Sequence, residues 1–323
     1  MDVSIVIVSF NSISLLETCL ASIRSQTRQL SYEIIVVDNA SSDGTAQMLR
    51  QKYPWVILIA NGYNRGFAQA NNQGFSRASG RYFFMLNPDT VILDRAIDRL
   101  VAFMEAHPGV GICGPKNVGR EGQLQFNCDQ FPSVWNSFCS YANLHSLFRG
   151  SPRCSRSQMR FFDYASIRRV DRIMGCSLMI RADLFKRLGG LDDQYFMYFE
   201  ETDFCYRARR LGYQVVFVPF AVIIHFGGES SQTVGCQPVF YKTIYSYFFP
   251  SQYRFYRKHY GFLPMLAIRA LDLSFGLAVI VRNILRRNGL EKRKGLQQGR
   301  IIVWCSIRCG SVLPESLESA PGY

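Results

Sequence analysis

The feature that most limits what this chain can fold into is a rhythm in its first 110 or so residues, where apolar runs alternate with helical patterns. Residues 3–10, "VSIVIVSF", are β-branched and read as a buried strand. The next stretch, "SISLLETCLASIRSQ", puts Leu15, Leu16, Cys19, Leu20 and Ile23 on one helical face, with Ser14 and Glu17 as a capping box. Residues 32–37 give a second strand ending at Asp38-Asn39, "DGTAQMLRQKY" a short helix, and residues 56–60 a third strand. Residues 66–78 are helical again, Phe83, Phe84, Met85 and Leu86 form a core strand, and residues 92–107 are a helix patterned by Leu93, Ile97, Leu100, Val101 and Met104. Strands that are apolar on both faces must be covered on both. The expected fold is therefore α/β, a Rossmann-like, mostly parallel sheet with helices on both faces.

The rhythm fades in residues 119–172, which are aromatic, polar and Arg-rich and read as loops over the active face. It returns with "SLMIRADLFKRLGG", a helix at about 200–211, and two short strands, "QVVFVP" and "AVIIHF". After Phe248 the chain becomes aromatic, basic and helical, so residues 1–248 are expected to form the catalytic domain and residues 249–323 a helical, basic C-terminal extension. The 323 residues carry 37 basic and 24 acidic side chains, a net +13. Beyond Gln252 there are twelve basic residues and four acidic ones, so the extension holds +8 of that excess. Such a balance points to an anionic partner: nucleic acid, a membrane surface or a phosphorylated ligand. Ten scattered cysteines without a CxxC pair suit reduced core thiols in a cytosolic protein, and "MDVSIVIVSFN" has no basic leader region.

In an open parallel sheet, ligands bind at the carboxyl ends of the strands. Here those ends carry Asn11, Asp38-Asn39, residues 61–66 and Asn87-Pro88-Asp89, more polar groups than turns alone require. Asp89 suits a turn, and it also suits an oxygen ligand for a divalent cation bridging phosphates. Glu200, Glu201 and Asp203 open a helix, where they complement its dipole or supply a general base. His225 ends an apolar strand and is either a hydrogen-bonded core residue or a metal ligand. The GxGxxG at residues 109–114 follows a helix and runs into Pro115, so it cannot present a helix N-terminus to a pyrophosphate.

The segments "SIVIVSFN", "EIIVVDNASSDGT", "NRGFAQANNQG", "YFFMLNPDT" and "FMYFEETDFCYRARRLGY" occur in the order seen in family 2 glycosyltransferases of GT-A fold. Over residues 3–228 the chain most resembles the bacterial rhamnosyltransferase-like branch that builds surface polysaccharides. The resemblance implies that Asp38 contacts the nucleotide base, in a pocket shaped by Phe10, Asn11, Asn39 and Asp43. It implies that Asn64, Gly66 and Asn71 line the nucleotide-sugar side, next to Asn87. Asp89 matches the last acid of the family's D-x-D metal motif, and His225 the histidine that some members add, for Mg2+ or Mn2+. Asn87 stands where the family has its first acid, which leaves more of the cation's affinity to the diphosphate. The family's base is the Asp of a Glu-Asp pair; Glu201 holds that place, with Glu200 and Asp203 as alternatives.

The implied reaction is a single inverting displacement. A sugar moves from a nucleotide-diphosphate donor to a lipid-linked or oligosaccharide acceptor, with one base and one divalent cation. Two other readings fit the sequence less well. A nucleotidyltransferase acting on a sugar phosphate would need a Gly-rich loop with a basic residue after the first strand, which "SFNSISLL" lacks. A nucleic-acid-binding protein would interleave basic residues with aromatics across the sheet, whereas these strand ends carry acids, so no nucleic-acid partner is expected. In "FLPMLAIRALDLSFGLAVIVRNILRR" the longest uncharged stretch, residues 273–281, is shorter than the ~20 residues of a span. Arg269, Asp272, Arg282, Asn283, Arg286 and Arg287 fall on one arc of that helix. The expectation is an interfacial helix with a cationic face, peripherally docked on anionic lipid at the inner face of the cell membrane.

Overall fold

A computed structural model describes residues 1–148, 151, 153–154, 159, 161–227, 237–286 and 289–308. The chain divides into two compact units. The first comprises Met1–Phe131, His145–Phe196 and Glu200–Thr233, and the second Pro132–Leu144, Met197–Phe199 and Val234–Tyr323.

In the first unit the strands are β1 (Val3–Ser9), β2 (Tyr32–Asp38), β3 (Ile57–Ala60), β4 (Tyr82–Leu86), β5 (Thr90–Ile92), β6 (Val110–Val118), β7 (Leu124–Gln125), β8 (Cys128–Asp129), β9 (Arg168–Val170), β10 (Arg172–Ile173), β11 (Ser177–Arg181) and β12 (Gln214–His225). Ten of them form one sheet with central order β3-β2-β1-β4-β11-β6-β12-β5, while β8 and β10 pair separately. Strands β1, β2, β3, β4, β6 and β12 run one way and the other four run against them, so the sheet is mostly parallel, as expected.

Alternation along each strand builds two cores. Ile5, Ile7, Ile34, Val36 and Phe84 face one side, with α1 (Ile13–Gln26), α2 (Thr45–Lys52) and α4 (Ala96–Ala106) packed over them. Val6, Ile35, Val37, Phe83 and Met85 face the other, under α3 (Phe67–Ser76), α7 (Ala182–Arg187) and α8 (Glu200–Arg210). Each such fully buried side chain contributes on the order of 1.5–3 kcal/mol. The register aligns Ser9 with Asp38, Asp38 with Ala60, and Ile7 with Leu86, so the polar residues after β1, β2, β3 and β4 emerge along one edge.

Three local expectations are corrected. Helix α1 starts at Ile13 with Ser12 as N-cap and no side-chain cap bond of its own; Asp43 Oδ2 accepts the Ile13 N–H instead, at 3.0 Å. Ser14 therefore lies inside the helix and forms no capping box. "QVVFVP" and "AVIIHF" are one strand, β12, because an irregularity between Val218 and Val222 absorbs Pro219 and Phe220 without breaking the ladder. Residues 119–172 hold the short strands β7, β8 and β9 and two helices, α5 (Val134–Tyr141) and α6 (Leu144–Leu147), rather than loops alone.

The second unit is helical: α5, α9 (Gln237–His259), α10 (Phe262–Ile284) and α11 (Gly289–Ile307). The boundary expected after Phe248 falls inside α9. Helices α10 and α11 pack closely at Gly276 and Gly299, where a Cβ on Gly299 would run into Ile280 and the Gly276 carbonyl oxygen. The polar arc read on α10 is divided: Arg282 and Arg286 are exposed, while Asp272 and Asn283 turn inward. Asp272 and Asn283 are fully buried, and Asp272 accepts hydrogen bonds from Tyr141 Oη at 2.7 Å and Gln252 Nε2 at 2.9 Å. Arg269 caps the end of α11 through the Ser306 and Ile307 carbonyls. Phe262, Leu263, Leu266, Leu277, Val281 and Ile284 are left exposed. Arg287 lies outside the described residues, as do Cys236 and Cys309. By length and composition α10 is the one helix among the described residues able to cross a membrane.

Candidate active site

The ends of β1, β2 and β3 are knitted together by side-chain amides. Asn39 Nδ2 donates to Asn64 Oδ1 and to the Gly66 carbonyl, both at 3.1 Å, and its Oδ1 accepts from Asn61 Nδ2 at 2.9 Å. Asn61 and Gln73 exchange two further bonds. Asn64 Oδ1 also takes the Gly66 N–H, which folds residues 64–66 tightly before α3. Asn39 and Asn64 are thus committed to holding the loop's shape. Gly66 adopts φ +79°, and a Cβ there would collide with the Phe196 carbonyl oxygen, which accepts the Phe67 N–H. Only glycine fits this position.

Asn11 (φ +50°) accepts from the Ser42 N–H at 2.8 Å, joining the β1 end to the loop after β2. Asp43 accepts from Ile13 N–H and from Thr45, so one carboxylate serves the N-termini of α1 and α2. Burial works against that charge, but the Thr45 and Ile13 hydrogen bonds outweigh it and lower the Asp43 carboxyl below its usual range. Asp38 is buried and its Oδ1 has no hydrogen-bond partner. Burial pushes its carboxyl upward, against hydrogen bonds from Ser41. Phe10 is left exposed at the end of β1, and the buried Asn71 spends its Nδ2 on the Phe67 carbonyl, leaving Oδ1 without a partner.

After β4, Asn87 N–H donates to the Cys176 carbonyl, and Thr90 Oγ1 closes the Asn-Pro-Asp turn on the Asn87 carbonyl at 2.7 Å. β5 then pairs antiparallel with β12, opposing His225 to Thr90, and the Phe226 N–H donates to the Asp89 carbonyl. This pairing brings His225 Nε2 to 3.5 Å from Asp89 Oδ1, across 136 residues of sequence. A carboxylate oxygen beside an imidazole nitrogen suits Mg2+ or Mn2+. No group of three or more His, Cys, Asp or Glu side chains placed to hold a metal ion occurs among the described residues, so a cation here would need ligand oxygens from a bound diphosphate.

The third cluster opens α8. Tyr198 and Phe199 both have positive φ, +68° and +69°, a bent approach that two non-glycine residues adopt only under constraint. Glu201 Oε1 accepts from Arg172 Nη1 at 3.0 Å and from Thr202 Oγ1 at 3.2 Å, while Arg172 Nη2 donates to Asp129 at 2.8 Å. Glu200 is buried beside it. Burial first, and then the Glu201 charge, raise the Glu200 carboxyl well above the ordinary range. Asp203 is fully buried and paired with Arg207 Nε at 2.6 Å; Arg207 is itself bound to the Leu188 and Gly190 carbonyls. Residues 172–176 tie this cluster to the Asp89 turn: Arg172 holds Glu201, Gly175 packs near Glu201 Cβ, and the Cys176 carbonyl accepts from Asn87. The sequence reading missed Arg172, Asp129 and Gln125, which sit in the irregular middle region where no pattern marks them.

The profile of "Glycosyl transferase family 2" matches residues 4–169, just over half of the chain. The chain is 28% identical over 299 residues to N-acetylglucosaminyl-diphospho-decaprenol L-rhamnosyltransferase of Mycobacterium tuberculosis, covering 88% of this chain and 94% of that protein. It is 27% identical to the low-salt glycan biosynthesis hexosyltransferase Agl10 of Haloferax volcanii, over 65% of this chain and 62% of that one. Among solved structures it matches the mannosyltransferase PcManGT from Pyrobaculum calidifontis in complex with GDP-Man and Mn2+, with TM-score 0.55 and 14% identity over 94% of this chain and 86% of that one. It also matches GalNAc-T7 with UDP, GalNAc and Mn2+, with TM-score 0.52 and 18% identity over 70% of this chain and 44% of that one. The two solved structures share its fold, and the matched profile spans the polar ends of β1, β2, β3 and β4, so the chain belongs to glycosyl transferase family 2 and is a GT-A glycosyltransferase of glycan biosynthesis.

Proposed function

We propose that the protein is an inverting rhamnosyltransferase that moves the sugar from a nucleotide-diphosphate donor to a hydroxyl of a lipid-linked saccharide acceptor. The observation that carries this is the tie, through residues 172–176, between the Asp89–His225 pair and the Arg172-held Glu201. The mycobacterial relative's name supplies the sugar and the class of acceptor.

In this reading Asp38 Oδ1, buried without a protein partner, accepts an N–H of the nucleotide base, and the exposed Phe10 ring gives the base an apolar surface. Asn11, Asn39 and Asp43 hold that pocket's walls; Asn64, Gly66, Asn71 and Asn87 border the sugar diphosphate. Glu201 takes the proton of the acceptor hydroxyl. The acceptor oxygen bonds to the anomeric carbon as the bond from that carbon to the diphosphate breaks, its electron pair leaving with the nucleoside diphosphate. A divalent cation held by Asp89 and His225 would neutralise charge on that leaving group. Glu200 is buried with its carboxyl raised by that burial, which disfavours its charged form, and Asp203 is taken up by Arg207.

The acceptor's lipid places the enzyme at a membrane, and α10 offers the surface. Its exposed side carries Phe262, Leu263, Leu266, Leu277, Val281 and Ile284 with Arg282 near its end, while Asp272 and Arg269 are satisfied inside the helical unit. The helix meets the length and composition of a span. Against crossing stands α11, packed along it with Glu291, Arg293 and Arg300 exposed, which a crossing α10 would draw into hydrocarbon. We therefore read α10 as lying in the interface of the cytoplasmic face, with basic residues of "EKRKG" beside anionic headgroups.

The deciding experiment supplies nucleotide-diphosphate sugars one at a time with a polyprenyl-diphosphate N-acetylglucosamine acceptor, with Mn2+ and without, and determines product configuration by NMR. Rhamnosyl transfer with inversion is expected. A retained configuration rules out the single displacement, and transfer of a different sugar rules out the donor.

A further inference from the structure

We infer that Gln125 is the positioning residue of the cation site, setting both the ring orientation and the tautomer of His225. This rests on the reading of Asp89 and His225 as cation ligands. Gln125 lies at the end of β7, held by pairing with Asn117 of β6. Its Nε2 donates to the His225 carbonyl at 2.7 Å, and its Oε1 lies 3.0 Å from His225 Nδ1. The first bond fixes which end of the amide is which. An amide nitrogen must face the carbonyl, so the amide oxygen faces the ring, and Nδ1 must carry the hydrogen. The lone pair of the neutral imidazole is then on Nε2, the atom turned toward Asp89 Oδ1.

At 3.5 Å the His225–Asp89 pair is longer than the about 2.7–3.2 Å of an N–H···O hydrogen bond. With Nδ1 engaged by Gln125, His225 Nε2 and Asp89 Oδ1 face a common space, which is the arrangement a cation uses. The Phe226 N–H on the Asp89 carbonyl fixes the main chain at Asp89, and the bond from His225 Nδ1 to Gln125 Oε1 sets the angle of the ring. Ligand histidines are commonly oriented by a group on the other ring nitrogen, and its loss typically costs tenfold to a hundredfold in metal affinity.

The test measures Mn2+ binding to full-length protein by EPR of the free ion, with UDP as the diphosphate probe, together with 15N–1H NMR of the histidine rings. The spectrum of wild type should show His225 protonated on Nδ1, assigned by comparison with His225→Ala. Gln125→Leu should weaken Mn2+ binding tenfold to a hundredfold and release the tautomer preference. Gln125→Glu, which can still accept from Nδ1–H but loses the donor to the His225 carbonyl, should restore the tautomer preference. In a His225→Ala background, Gln125→Leu should have no further effect. Unchanged Mn2+ affinity in a folded Gln125→Leu, an additive loss in the double variant, or wild-type His225 protonated on Nε2 would each overturn the inference. If Asp89→Asn also leaves Mn2+ binding unchanged, the cation reading itself falls; if Asp89→Asn abolishes binding and Gln125→Leu does not, only the role of Gln125 falls.

Discussion

Arg172 donates to Glu201 at 3.0 Å, and its other terminal nitrogen donates to Asp129 at 2.8 Å, so the carboxylate that opens α8 is held from a strand 29 residues earlier. A base on a helix's first turn has a mobile side chain by default. Here Oε1 is fixed by Arg172 and Thr202, which would hold the proposed base in place.

Glu201→Gln keeps the shape and the Arg172 contact but cannot accept a proton. Turnover should fall on the order of a hundredfold or more while donor KM changes little. Asp203→Asn should behave differently, lowering the melting temperature because it strips the charge partner from the largely buried Arg207. A Glu201→Gln enzyme that keeps its kcat, or loses donor affinity in proportion, assigns the base elsewhere.

Asp89→Asn removes the carboxylate beside His225 while the Phe226 N–H bond to the main-chain carbonyl survives. The protein should fold normally and lose Mn2+ binding, with more than a tenfold drop in turnover, over about 1.4 kcal/mol of barrier. Steady-state rates across a Mn2+ titration check this; retention of more than about a tenth of the wild-type rate contradicts it.

Gly66→Ala meets both a positive φ and the Phe196 carbonyl oxygen. The variant should be destabilised by roughly 1–3 kcal/mol, with a raised donor KM as the 64–66 turn shifts. Thermal melts and donor saturation curves report the two effects. A melt matching wild type would show that the turn relaxes at no cost.

Asp272 has its carboxyl pushed up to about 6 from an ordinary 3.8 by burial, offset in part by hydrogen bonds from Tyr141, Tyr253 and Gln252. The folded state then binds the proton more tightly than the unfolded chain. Its stabilising effect is complete below pH 4 and is lost as pH rises through about 6. Asp272→Asn, neutral throughout, should leave stability little changed at pH 4 and raise it relative to wild type above pH 6, by up to about 3 kcal/mol. Chemical unfolding across that range decides it; a difference of opposite slope contradicts the assignment.

The apolar outer side of α10 should bind lipid. Leu277→Asp with Val281→Asp should stop flotation with anionic liposomes while leaving hydrolysis of a soluble donor intact, since both side chains are about half exposed. High salt should weaken flotation of the wild type. Resistance to alkaline carbonate extraction would mean that α10 crosses the bilayer.

Much of this protein was readable from the chain alone, because a parallel sheet writes itself as apolar strands separated by amphipathic helices. The alternation of Val6 with Ile5 and Ile7 already assigns the two cores, and the register brings the polar residues after β1, β2, β3 and β4 to one edge of the sheet. Pairs that depend on distant segments were beyond that reach. Gln125 meets His225 across 100 residues and Arg172 meets Glu201 across 29, through short strands too brief to leave a period. The capping of α1 by Asp43 in place of Ser14, and the joining of two apparent strands into β12, likewise follow from partners that local pattern cannot name. The direction of α10 was decided by tertiary structure for the same physical reason. A helical wheel shows that polar and apolar residues are segregated, but only the presence of Tyr141, Gln252 and the Ser306 carbonyl draws Asp272 and Arg269 inward, while Arg282 and Arg286 stay exposed with Leu277 and Val281.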